Sequence, residues 1–381
     1  MTQKLIVHVG TPKTGSSSLQ RALHDGAYST EAVRVAYPDR LSEVDLARAM
    51  AQGREKLVAR RLGEIEQWLS GTDADVFALS SEQFVGVPAR TFASAMDRHL
   101  PAWRARTQVA CYVRPHGPRL VSAFAQQRKS GAFLGSMDGF LRRFERNKRL
   151  RYADQLASWR EVYGDRLVAR QMSRSSLVGG DVVTDFLHLV TAGEPVEVHA
   201  QRLNPSLSVE ALALLRIVHR KLRASEVPEG TAQRIGKRIA GDLQAAGVAD
   251  RGRRLWVSTT QAQSIAAIFG DDAARLDATV FAGSSPFTEG LHRLIEEAPA
   301  EAPDLEPKSY ADAPTRNAIR QDTATLAGVL SEHGSAWVAQ FRADKGYRFR
   351  PAALSPASAA EVEAALEPVV SGLAGALRQS R

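Results

Sequence analysis

A short apolar strand that runs directly into a glycine-bounded turn is the feature that most constrains this chain. Lys4-Leu-Ile-Val-His-Val9 leads into Gly10-Thr-Pro-Lys13-Thr-Gly15, and Ser16, Ser17 and Ser18 then precede Leu19. A strand, turn and helix start of this kind aims backbone N–H groups and the positive helix end at one point, where an anion is favoured. Lys13 adds a full positive charge, and the Ser16 and Ser17 hydroxyls can donate to the same oxygens. An ordinary strand-to-helix turn with an N-capping serine is the plainer alternative. Two glycines, a lysine and three serines in one turn favour the anion.

The remaining pattern supplies a frame for that turn. Further short apolar runs bounded by turn residues fall at residues 33–37, 76–80, 108–113 and 166–170, and read as buried parallel strands. Helical patterns lie between them, at residues 17–23, 46–69, 118–129, 154–163 and 181–191. Strands alternating with helices predict an α/β fold, a doubly wound parallel sheet of about five strands like that of P-loop NTPases. Beyond about Asn204 helices dominate, with an amphipathic stretch from Ser208 and a Ser258-Thr-Thr-Gln261 capping box. The expected division is a domain over residues 1–295, an Ala/Pro/acidic linker over 296–318 and a helical C-terminal extension over 319–381. A last helix is expected from Ser358 towards Arg378, against the grain of Pro368, Gly372 and Gly375.

Composition removes several classes. Among 381 residues there is one cysteine, Cys111, which excludes a disulfide scaffold and a thiolate metal cluster. No apolar stretch approaches the ~20 residues that cross a bilayer. The initial apolar run is too short for a signal peptide, so a cytoplasmic protein is expected. The 50 Lys and Arg against 42 Asp and Glu give a formal charge of +8, which suits an anionic ligand without choosing one.

The position of the lysine narrows the choice. In a nucleoside-triphosphate P-loop, G-x-x-x-x-G-K-[ST], lysine follows the second glycine. Here Gly10 and Gly15 have that spacing, but Ser16 stands where the lysine belongs and Lys13 lies inside the loop. The stretch Gly10-Thr11-Pro12-Lys13-Thr14-Gly15-Ser16-Ser17-Ser18-Leu19 resembles the 5′-phosphosulfate loop of sulfotransferases that use 3′-phosphoadenosine 5′-phosphosulfate (PAPS). That resemblance implies PAPS as co-substrate, no metal, and contacts from Gly10 to Ser18. It implies that Lys13 steadies the leaving-group oxygen.

PAPS carries a second, distant phosphate. Arg114 ends an apolar strand, where open α/β sheets place ligands, and its planar fork suits phosphate. The Arg114 to Ser122 segment resembles the family's 3′-phosphate motif, a strand-end arginine followed eight residues on by a helical serine. A surface ion pair is the alternative for Arg114, and a solvent-facing hydroxyl the alternative for Ser122.

Sulfuryl transfer to a hydroxyl needs a group that takes the acceptor's proton. The strand at 76–80 ends in Ser81-Glu82 on the same sheet edge as the Lys13 loop, and Leu-Ser-Ser-Glu resembles the glutamate base of carbohydrate-type members. Glu82 is therefore the expected base; a structural ion pair, or a magnesium-binding acid in a kinase, are the alternatives. His116 reads as a solvated loop residue, and Cys111 and Trp159 as core. The basic run 142–151, with Phe144 among its charges, reads as a solvated helix face. A stretch from Leu203 to Ser208 resembles a loop of bacterial members and reads equally as a helix cap, with Ser208 as N-cap before apolar residues.

Together these predict a PAPS-dependent sulfotransferase acting on a small-molecule or glycan acceptor, with no nucleic-acid partner. A magnesium-dependent P-loop kinase and a non-catalytic polyanion-binding module are the rival readings.

Overall fold

The computed structural model describes residues 3–11, 13–145, 150–199, 206–344 and 355–380. Five strands form a parallel sheet: β1 (Lys4–His8), β3 (Val35–Ala36), β4 (Val76–Ser80), β5 (Thr107–Val113) and β6 (Leu167–Gln171), in the order β3-β4-β1-β5-β6. Two further residue pairs, β2 (Tyr28–Ser29) and β7 (Glu197–Val198), pair antiparallel as a separate ribbon. The apolar runs at 4–9, 76–80, 108–113 and 166–170 become strands to within about a residue, while 33–37 forms only the two-residue edge strand β3. The molecule is thus an α/β protein with flanking helices and a helical C-terminal region.

Side-chain alternation lets each strand bury both faces. Val76 and Ala78 of β4 join Ile6, Ala110 and Tyr112 on one face, where they pack with Leu19 and Leu23 of the helix Ser16–His24 and Phe186 of Val182–Val190. Phe77, on the other face, lies edge-on to Trp68 and Trp103, with ring centroids 5.2 Å from each. Phe186 and Phe77 are fully buried, and each contributes about 2–3 kcal/mol of transfer free energy. The sheet is thereby a rigid base whose strand ends hold fixed positions.

The chain divides into two compact units. The first comprises residues 1–120, 144–203 and 262–297 and contains the parallel sheet; the second comprises 121–143, 204–261 and 298–381. The second unit is helical, with Val209–Ala224, Glu229–Ala245, Ala313–Asp344 and Pro356–Gln379 packed on one another. The capping box forms as its residues require: Ser258 N–H donates to Gln261 Oε1 at 3.1 Å, and Gln261 N–H to Ser258 Oγ at 3.3 Å. Pro368 is accommodated inside the last helix. The helical pattern at 46–69 is two helices, Val44–Ala51 and Glu55–Gly71, because the chain turns at Gly53. No helix among the described residues is long and apolar enough to cross a membrane.

Candidate functional site

Strand order decides where a ligand can sit. From β1 the chain moves to β3 and β4 on one side, then crosses to β5 and β6 on the other. Connections that leave in opposite directions open a crevice at the carboxyl ends of the central strands. β1 pairs in register with β4 (His8 opposite Ser80) and with β5 (His8 opposite Ala110). Three adjacent strand ends therefore carry the Lys13 loop, Glu82 and Arg114. All three belong to the first unit.

The loop is held by its own polar groups. Val9 N–H donates to the Ala110 carbonyl at 2.9 Å, and the Thr11 hydroxyl to the Tyr112 carbonyl at 3.0 Å, tying the turn to β5. The Thr14 hydroxyl donates to the Thr11 carbonyl at 2.6 Å and closes the turn on itself. Thr11 and Thr14 are buried, so their hydroxyl protons stitch the loop together. Pro12 lies outside the described residues.

Beneath the turn sits His8, fully buried, with Nδ1 2.8 Å from Ser80 Oγ. A Cβ on residue 10 would come within 2.6 Å of His8 Nε2 and 3.0 Å of Ser16 Oγ, so only glycine lets the backbone pass. Gly15 has φ 77° and a Cβ there would meet Val182 Cγ1 at 2.6 Å, which requires glycine twice over. Lys13 is also left-handed, with φ 72°, at a cost of about 1–2 kcal/mol for a residue with a Cβ. Such strain persists where the surroundings dictate the conformation. Arg114 supplies part of that hold: its Nη1 donates to the Lys13 carbonyl at 3.2 Å.

Gly15 is also the N-cap of the helix Ser16–His24, and no side chain caps it. The Ser18 and Leu19 N–H groups turn back to the Gly15 carbonyl at 3.0 and 3.1 Å. Ser17 is exposed, Ser18 half-buried and Ser16 buried. With no acid in its first turn, this helix end keeps its positive field.

Glu82 follows the buried Ser81, whose N–H donates to the His8 carbonyl at 3.1 Å, so β1 fixes where β4 ends. Glu82 itself is half-buried. The Arg119 guanidinium is close enough for their charges to interact. Arg119 is 8% exposed and its Nε has no partner among the described residues. Burial holds Arg119 below the usual arginine range, against the opposing pull of Tyr152 and Glu82.

Tyr152 is placed by a second buried pair. His116 Nε2 and Asp272 Oδ2 are 2.9 Å apart, and the Asp272 carboxylate also accepts from the Tyr152 and Ala153 N–H groups at 2.8 and 3.2 Å. Burial works to raise the Asp272 carboxyl, yet its bonds to His116, Tyr152 and Ala153 together hold it below its ordinary range. His116 is 1% exposed, stacked on Phe269 at 5.1 Å, which corrects the reading of it as a solvated loop residue. His116 opens the helix His116–Ser130, and its burial is not revealed by the isolated sequence Arg-Pro-His.

Lys13, Glu82 and Arg114 thus come together at neighbouring strand ends. Ser122 lies half-buried on the helix His116–Ser130 and belongs to the second unit. Arg119 and Tyr152 are the residues that sequence reasoning missed. In the sequence Arg119 is only one more cation on a helix, five residues after the strand-end Arg114. Cys111 and Trp159 are core residues as expected, and burial pushes the Cys111 thiol up to about 12. In the basic run, Phe144 is buried while Arg142 and Arg143 are exposed, the pattern of a solvated helix face; residues 146–149 lie outside the described residues. So do residues 203–205 of the Leu203–Ser208 stretch.

Compared with known proteins, the chain matches no protein-family model, no curated protein and no solved structure.

Proposed function

We propose that this chain is a PAPS-dependent sulfotransferase with a P-loop-like nucleotide site at the carboxyl ends of β1, β4 and β5. The observation that carries the reading is the direct link between the two expected anion sites, Arg114 Nη1 on the Lys13 carbonyl. It supports a ligand with two anionic groups, because one arginine both borders the second site and sets the backbone of the first.

The fit to such a nucleotide rests on the loop itself. Glycine at 10 and 15 lets the turn close tightly over His8 and against Val182, and the uncapped helix Ser16–His24 points its positive end into that turn. Lysine inside the loop, rather than after Gly15, favours the sulfotransferase over the kinase. Arg114 would hold the 3′-phosphate.

The nucleotide supplies the sulfuryl group. Glu82 takes the proton of an acceptor hydroxyl, whose oxygen bonds to sulfur as the bond from sulfur to the bridging phosphate oxygen breaks. The negative charge that develops on that oxygen is met by Lys13 and the helix N-terminus, positioned before the reaction begins. Arg119 keeps a positive charge beside Glu82. The acceptor we favour is a carbohydrate or glycoconjugate hydroxyl.

The test is calorimetric titration with adenosine 3′,5′-bisphosphate and, separately, ATP with and without magnesium. Bisphosphate binding that needs no metal and is lost in Lys13→Ala is the expected result. Tight binding of ATP only with magnesium would replace this reading with the kinase.

A further inference from the structure

The second unit contains a cavity of about 390 Å³ whose lining is mostly cationic, with Ile217 and Pro307 as its apolar part. The helix Val209–Ala224 brings Arg220 and Lys221 to it, and Ala313–Asp344 brings Arg316 and Arg320, one turn apart on one face. Lys308, from the turn Pro307–Ser309, completes a set of five cations against one carboxylate, Glu306. The two helices and the turn pack on one another, which keeps the backbone positions of these residues close together.

The nearby carboxylates are already engaged. Glu306 is ion-paired with Arg216. Asp304 accepts from the Ser309 hydroxyl and the Glu306 N–H, and Asp312 from the Thr315 N–H. Within electrostatic reach of this surface Arg128 is 2% exposed: its Nη1 donates to the Leu134 and Gly135 carbonyls, while Nη2 is buried without a partner among the described residues. Desolvation pushes Arg128 down to about 10, the charges of Arg216 and Arg220 push the same way, and Glu306 opposes them. Like charges one helical turn apart are destabilising. Here they are gathered within electrostatic reach of a buried arginine, at a site of the size that small ligands occupy.

We propose that this cavity binds a small ligand carrying two or more clustered phosphate or sulfate groups, at a site separate from the sheet-edge loop. A convergent pocket, fed by two helices and a turn, suits a compact polyanion better than the long stripe that a nucleic-acid backbone needs. Arg220 and Arg320 are both exposed and belong to none of the sheet-edge machinery, so they can be changed without cutting into a core.

The test uses the full chain with Lys13→Ala and Arg114→Ala in place, which removes the two cations assigned to the nucleotide. Inorganic pyrophosphate and a disulfated disaccharide are titrated by calorimetry in low salt, and whichever binds identifies the phosphate or the sulfate source. At least one is expected to bind, with affinity falling tenfold or more when Arg220→Gln and Arg320→Gln are added. Amide exchange should slow within 209–224 and 313–344 on binding. Absence of binding by both probes, or binding indifferent to the two glutamine substitutions, overturns the proposal. Tighter binding of a single-stranded oligonucleotide through the same two arginines also overturns it, in favour of nucleic acid.

Discussion

Arg114 reaches back from the end of β5 and donates from Nη1 to the backbone carbonyl of Lys13, 3.2 Å away. The same side chain that ends a strand therefore fixes a left-handed lysine in the turn after the neighbouring strand. A charged hydrogen bond of this kind is worth about 1.5–3 kcal/mol, comparable with the strain it opposes. Arg114→Ala should weaken adenosine 3′,5′-bisphosphate binding by roughly 10- to 100-fold, read by calorimetry. Arg114→Lys should restore only part of the loss, since an ammonium lacks the planar fork that can serve a phosphate and a carbonyl together. Equal affinity in parent and alanine variant would separate Arg114 from the ligand site.

Glu82 is tested by separating binding from turnover. Glu82→Gln keeps the shape of the side chain and removes its capacity to take a proton. Bisphosphate affinity should stay within a few-fold of the parent while turnover falls by about 10²- to 10⁴-fold, the usual contribution of a general base. Turnover near the parent value would assign the base elsewhere.

The strands and the loop were legible because local rules decide them. Continuous apolar runs ended by turn residues read as buried strands of a parallel sheet, and Gly10 and Gly15 are dictated by contacts within a few residues or by backbone φ. Caps were equally local: Ser208 Oγ accepts from Ala211 N–H at 3.2 Å, as its place before an apolar helix suggests. What escaped the sequence is what depends on distant partners. His116 is buried because Asp272, 156 positions away, accepts its bond, and nothing near residue 116 announces that carboxylate. Arg119 gains its meaning from Glu82 and Tyr152, each on a different element. The broken helix at 46–69 has the apolar periodicity of one helix, and only the turn at Gly53 divides it.

Two glycines in one helix of the second unit give a paired stability test. In Glu229–Ala245, a Cβ on residue 236 would lie 2.4 Å from His219 Cε1 and 2.8 Å from the Lys129 carbonyl oxygen, whereas one on residue 241 meets nothing within 4 Å. Alanine gains about 1 kcal/mol of helix propensity at either position. At 236 the obstacle includes backbone, and overpacking costs about 1–3 kcal/mol, so the clash wins. Gly236→Ala should lower the unfolding free energy and Gly241→Ala should raise it by up to ~1 kcal/mol, measured by denaturant titration. Stabilisation by both substitutions would mean that the Gly236 contact yields freely.

Acid should weaken the fold in a window set by two buried histidines. Desolvation pushes His8 down to about 4; it pushes His219 down to about 4 as well, aided by Arg128 and Arg223 and opposed by the bond to the Lys129 carbonyl. Unfolded histidine titrates near 6.5, so between about 6.5 and 4 the unfolded chain binds protons that the folded chain refuses. Stability therefore rises with pH across this window and is lost as pH falls through it, by up to about 3 kcal/mol for each ring. Carboxylates held below their ordinary range, such as Asp272, lose their contribution only at still lower pH. Denaturation midpoints at pH 7, 5.5 and 4.5 should fall for the parent chain and fall less steeply for His219→Gln, whose amide can still donate to the Lys129 carbonyl. Parallel pH profiles for the two proteins would remove His219 as a source of the acid sensitivity.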